Sequence, residues 1–170
     1  MNRFVKAAIF GIATGISVSV AFNAWGSDDQ IECLAKNMYF EARSQGTAGV
    51  LAVSAVVLNR VNDPRFPDTI CEVVKQGPTR ASWLNRSKRY PIRNRCQFSW
   101  YCDGKSDVPK NKKLYNKLEG LATSILSGEI NFIDITDGAT FYHADYVQPS
   151  WARTKTRTVE IEDHIFYRWK

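Results

Sequence analysis

A mainly helical α+β domain with a small sheet near its C-terminus is the fold class that this sequence predicts. Three observations carry that expectation. The chain has 170 residues, enough for one compact domain with one core. Four stretches before Gly128 repeat apolar residues at the helical period. Beyond Gly128 the pattern changes to aromatic and β-branched residues, the composition of strands.

The first helix follows Asp28 and Asp29, either of which can cap it, and carries Ile31, Leu34, Ala35, Met38 and Ala42 at the 3.6 period before Gly46 ends it. The second, over 47–61, reads AGVLAVSAVVLNRV and is apolar nearly all round, so it belongs in the middle of a core. After the turn NDPRFPD, a short helix over 69–76 presents Ile70, Val73 and Val74 and is stopped by Gly77-Pro78. A basic loop comes next, and CQFSWYCDGKSDVP reads as a loop or short ribbon. A last helix over 111–127 places Leu114, Leu118, Leu121 and Ile125 on one face and ends at Gly128. ATFYHADYVQPSW and RTVEIEDHIFYRW read as strands, the second as a hairpin turning near Glu162-Asp163.

Residues 1–26 stand apart from this domain, which occupies 27–170. The basic MNRFVK, a weakly apolar run and small residues near Ser19 and Ala24 read as a secretory signal peptide or a releasable signal anchor. Export to the periplasmic or cell-wall space follows. It agrees with four cysteines, Cys33, Cys71, Cys96 and Cys102, that suit a disulfide framework. Three pairings are open, and Cys33 with Cys71 and Cys96 with Cys102 is the favoured one. A zinc site is disfavoured because no C-x-x-C pair occurs.

Loss of Arg3 and Lys6 with the leader takes the net charge from +6 to +4. The excess is concentrated in residues 79–95, where Arg80, Arg86, Lys88, Arg89, Arg93 and Arg95 occur without one acid. The stretch reads either as a solvated loop or as a surface for an anionic polymer of the wall or envelope. Nucleic acid fits the charge, but an exported protein rarely meets it.

Glu41, in MYFEARSQG, is the candidate catalytic group. At 100° per residue it lies about 20° from Leu34, at the edge of the buried stripe. A partly desolvated carboxyl there has its pKa raised, as a general acid requires. The competing reading is a boundary glutamate hydrogen-bonded to a loop. Phe98, Trp100, Tyr101, Tyr142, Tyr146 and Trp151 can stack on sugars, and Asn37, Gln97 and Ser99 can bond hydroxyl or acetamido groups. His143-x-Asp145 offers too few ligands for a metal. Ser99 lacks a nucleophile-elbow setting, and no glycine-rich phosphate loop is present. No cofactor or metal is expected, and a monomer is.

NMYFEARSQGTAGVLAVSAVVLNRV, FPDTICEVV, CQFSWYCDG, GATFYHADYVQPSWA and HIFY, in this order, resemble the cell wall hydrolases of the SleB type, the spore-cortex-lytic family. The resemblance covers about residues 32–167. It implies a lysozyme-like, lytic-transglycosylase-like fold, peptidoglycan as substrate and Glu41 as catalytic acid. With Glu41 in that role, Tyr142, Gln97 and Ser99 are expected to position the sugar, and His143 and Trp151 to shape the cleft. The family often continues E-A-R with Gly-Glu, whereas this chain has Ser44 and Gln45, so the motif keeps one acid. That points to a lytic transglycosylase, which manages with one carboxylate. Lysozyme-type hydrolysis, a non-catalytic wall-binding module and an exported polyanion binder or nuclease are the competing functions.

Overall fold

A computed structural model of the chain describes residues 26–170. The leader expected over 1–26 therefore lies outside the described residues, apart from Gly26. Helix α1 spans Asp28–Ala42, α2 Thr47–Asn62, α3 Ile70–Val74 and α4 Lys112–Leu126. Ser27 occupies the cap position of α1, rather than Asp28 or Asp29, which fall in the first turn. There their charge favours the positive end of the helix dipole. Thr69 and Asn111 cap α3 and α4 by accepting from Glu72 N and Leu114 N.

The period read in the sequence becomes the core. Leu34, Ala35, Met38 and Ala42 of α1 meet Val50, Val53 and Val57 of α2, Ile70, Val73 and Val74 of α3, and Leu118, Ala122 and Ile125 of α4. Helix α2 is buried on almost every side, and its one buried hydroxyl, Ser54 Oγ, donates to Val50 O at 2.8 Å. The favoured disulfides are present. Cys33–Cys71 fastens α3 to α1, and Cys96–Cys102 closes a short loop.

The sheet is formed by β3 (Phe141–Ala144), β4 (Thr156–Ile161) and β5 (His164–Arg168) in the antiparallel order β3-β5-β4. A second small core joins it to α2, through Ala52, Val56, Ala139 and Phe166. The strand expected over ATFYHADYVQPSW stops at Ala144, and a 3-10 turn occupies Ser150–Thr154. Pro149, which has no N–H, precedes that turn and cannot donate to a ladder. Where a basic loop was expected, β1 (Thr79–Ala81) and β2 (Arg89–Pro91) pair as a hairpin, with Arg80 opposite Tyr90. The stretch expected after it as a loop or short ribbon is a loop that contains a 3-10 turn at Ser99–Cys102.

The β4–β5 turn also completes α2. Glu162 accepts from Gly46 N at 2.6 Å and Gly49 N at 3.1 Å, satisfying two N–H groups that open the helix. Glu162 holds a left-handed φ of 50° to do so. The cap and the backbone conformation act in opposite directions on stability. Urea denaturation should therefore show Glu162→Ala destabilised by about 1 kcal/mol. Glu162→Gly, which loses the same cap but relieves the backbone, should recover most of that loss.

Candidate active site

Three elements converge on Glu41. It sits in the last turn of α1, half-buried, and its Oε2 accepts a 2.8 Å hydrogen bond from Tyr142 Oη of β3. The placement of β3 is set by α2. Asn59 Nδ2 donates to Ala139 O at 3.0 Å and to Asp134 Oδ2 at 2.9 Å, and Arg60 Nε donates to Thr140 O at 2.8 Å. Two adjacent polar residues at the end of an otherwise apolar helix thus hold the segment that enters β3.

Arg60 is a buried cation, 4% exposed. Its guanidinium lies 5.3 Å from the Phe66 ring centroid and 5.1 Å from that of Phe98, so aromatic faces replace part of its lost hydration. Burial lowers its pKa to about 10, against the opposing pull of Tyr142 and Glu41, which leaves it charged at neutral pH. Burial likewise raises the Glu41 pKa, while the Tyr142 hydrogen bond and the Arg60 charge pull it down. Tyr142 is raised well above its ordinary value by burial and by Glu41, so its phenol remains a donor. The result is a carboxyl group that retains a proton more readily than a surface glutamate, with one oxygen held by a fixed donor.

Glu41 lies where two clefts meet. The first, about 600 Å³, is lined by Tyr39, Phe40, Trp100, Asp103, Asp107 and Lys110, among others. The second, about 630 Å³, is lined by Arg60, Gln97, Tyr142, His143, Tyr146 and Trp151, among others. Glu41 and Ser99 line both. A chain-like substrate crossing from one cleft to the other passes the carboxyl group.

Of the residues expected at a site, Gln97, Ser99, Tyr142, His143 and Trp151 come together in the second cleft with Glu41. Gln97 and Ser99 are exposed there. His143 is fastened at both nitrogens: Nδ1 lies 2.8 Å from Ala144 O and Nε2 3.0 Å from Tyr167 Oη. A carbonyl can only accept, so Nδ1 carries the hydrogen. Trp151 packs edge-on to His143 and Tyr167.

Two expected residues do not face the clefts. Phe98 is 2% exposed and lies against Arg60, which leaves no ring face for a sugar. Asn37 is fully buried, and its Oδ1 accepts from Trp100 Nε1 at 3.1 Å. Its role is to hold Trp100, which stacks on Phe40 at 4.8 Å, within the first cleft. Arg60, Phe40 and Phe141 were not picked out from the sequence. A charge inside AGVLAVSAVVLNRV was the available signal for Arg60, because buried arginines are rare without a partner.

The Cell Wall Hydrolase family matches residues 44–167 of the chain, a segment that begins just after Glu41. The spore cortex-lytic enzyme of Bacillus subtilis (strain 168) is 41% identical over 151 residues, covering 87% of this chain and 41% of that protein. That of Halalkalibacterium halodurans is 28% identical over 141 residues, covering 82% and 35% respectively. The chain thus spans less than half the length of these curated relatives. Among solved structures, the catalytic domain of the Bacillus cereus SleB protein is 26% identical with a TM-score of 0.57, over 84% of this chain and 91% of that one. The catalytic domain of the germination-specific lytic transglycosylase SleB from Bacillus anthracis has the same identity and TM-score, over 84% and 96%. The helical core, the small sheet and the matched segment agree, and the chain belongs to the cell wall hydrolase family.

Proposed function

We propose that the chain cleaves the glycan strand of peptidoglycan between N-acetylmuramic acid and N-acetylglucosamine, as a lytic transglycosylase that leaves 1,6-anhydro-muramyl ends. The observation that carries this reading is the position of Glu41, half-buried at the junction of two clefts with Tyr142 and Arg60 beside it. A glycosidase that uses water pairs two carboxylates across the bond. The E-A-R motif keeps Glu41 as its one acid, with Ser44 and Gln45 where the SleB type often has Gly-Glu, which favours an attacking hydroxyl within the substrate. The Bacillus anthracis structure, described as a lytic transglycosylase, supports the same choice.

In this mechanism protonated Glu41 gives its proton to the glycosidic oxygen as the C1–O bond breaks, and N-acetylglucosamine leaves with a new hydroxyl group. The C6 oxygen of N-acetylmuramic acid bonds to C1, and its proton returns to the Glu41 carboxylate, so the enzyme ends as it began. No cofactor takes part. Tyr142 orients the carboxyl group, Gln97 and Ser99 bond sugar hydroxyl or acetamido groups, and Trp151 and His143 form the wall of the second cleft. Asn37 and Phe98 act through Trp100 and Arg60. The protein works outside the cytoplasm, in the periplasmic or wall space, where its disulfides persist.

Mass spectra of digested peptidoglycan should show anhydro-muropeptides; products carrying an added water would mean lysozyme-type hydrolysis instead. Glu41→Gln should reduce wall clearing by about 100-fold or more, and a fully active variant would leave Glu41 without its role. Turnover requires a proton on Glu41, so it should fall as pH rises through that group's raised pKa. Tyr142→Phe removes an interaction that lowers this pKa, so the alkaline limb of the profile should move upward while the maximum rate drops.

The same shift predicts stability. A carboxyl group raised above its unfolded value binds more protons in the folded state, so its contribution is lost as pH rises through the folded pKa. Thermal melts should show Glu41→Gln at least as stable as the parent at neutral pH. That advantage should vanish below about pH 4, where both states are protonated.

A further inference from the structure

The β1–β2 hairpin takes no part in either cleft, and its composition is unusual for an exposed arm. Trp83 is 88% exposed and Leu84 77%, side by side at the tip, and Tyr90 is 53% exposed on β2. Arg80, Arg86, Lys88 and Arg89 lie on the same hairpin, and none of the ion pairs among the described residues involves these four. The arm is folded by its own bonds. Ser82 N donates to Lys88 O at 2.8 Å, Lys88 N to Asn85 O at 2.9 Å, and Arg89 Nε to Thr79 Oγ1 at 2.7 Å. Its base runs through Cys96, bonded to Cys102, into Gln97 and Ser99 of the cleft.

A soluble anionic polymer satisfies the cations but offers nothing to a neighbouring Trp–Leu pair, whose exposure to water is unfavourable. A lipid surface accepts both. Tryptophan and leucine enter the boundary between headgroups and acyl chains, and cations nearby meet the phosphates. We propose that the hairpin seats on an anionic phospholipid bilayer, with Trp83 and Leu84 in the headgroup layer and Arg80, Arg86 and Lys88 on the phosphates. Two small apolar anchors hold weakly alone, so the contact is reversible and sensitive to salt. It would keep the cleft near the membrane side of the wall, and it does not depend on how Glu41 acts.

The test uses the full chain with vesicles of phosphatidylglycerol mixed with phosphatidylcholine. Trp83 emission, taken as the difference between the chain and its Trp83→Phe variant, should shift to the blue and be quenched by brominated phosphatidylglycerol. This local signal separates the hairpin from any binding by residues 1–25. Replacing Arg80, Arg86 and Lys88 together with glutamine should weaken the vesicle dependence of that signal by roughly 100-fold, and Leu84→Ser by several-fold. Wall clearing by these variants on dispersed peptidoglycan should be unchanged, which keeps a failure here distinct from a failure at Glu41. Trp83 emission that ignores the vesicles would overturn the proposal. So would a signal that the glutamine variant retains, or one that a soluble polyphosphate produces when vesicles do not.

Discussion

The hydrogen bond from Tyr142 to Glu41 is the interaction on which the arrangement of this molecule depends. It joins side chains 101 residues apart, one on the last turn of a helix and the other on the first strand of the C-terminal sheet. A buried carboxyl group without a partner is unfavourable, so the two layers must meet in one register for the site to exist. That register is set from beneath by α2. Its apolar faces pack on α1 on one side and on Phe166 on the other, and Asn59 and Arg60 grip the backbone at Ala139 and Thr140. Stability and site geometry are thus the same set of contacts.

Arg60 shows how a cation is kept in such a place. Burying an ion is costly, by several kcal/mol even after relaxation. Here the Thr140 carbonyl, the faces of Phe66 and Phe98 and the nearby Glu41 offset that cost. Arg60 in turn limits how far burial raises Glu41. The pair explains why Phe98 is in the core: its ring serves the guanidinium rather than a sugar.

The residues after Glu41 take on a different meaning in three dimensions. Gln45, at a position where the SleB type often carries an acid, donates from Nε2 to Asp163 Oδ2 at 2.9 Å, and its Oε1 accepts from Asp163 N at 3.3 Å. It lines neither cleft. A glutamate there would add a third negative charge beside Asp163 and Glu162, which already caps α2. In this chain, Gln45 belongs to the turn that supports the site, and its lack of charge suits the acids it faces.

Local pattern determined the four helices: α1 and α4 bury a face that repeats at 3.6 residues, α2 is an uninterrupted apolar run, and α3 is a short apolar turn bounded by Thr69 and Gly77-Pro78. The hairpin at Glu162-Asp163 was equally legible, since two β-branched and aromatic runs flank a turn. Glu41 could be singled out because its angle on α1 places it at the rim of the buried stripe. Other features depended on distant partners. Phe98 and Asn37 looked like any aromatic and any amide until Arg60 and Trp100 covered them. The 79–91 segment read as a charged loop because strand pairing between Arg80 and Tyr90 leaves little trace in three-residue strands. Local sequence determined which residues form helices and where a carboxyl group meets the surface. Only the tertiary structure decided which groups act on it, because Tyr142 and Arg60 reach Glu41 through packing between elements far apart in the chain.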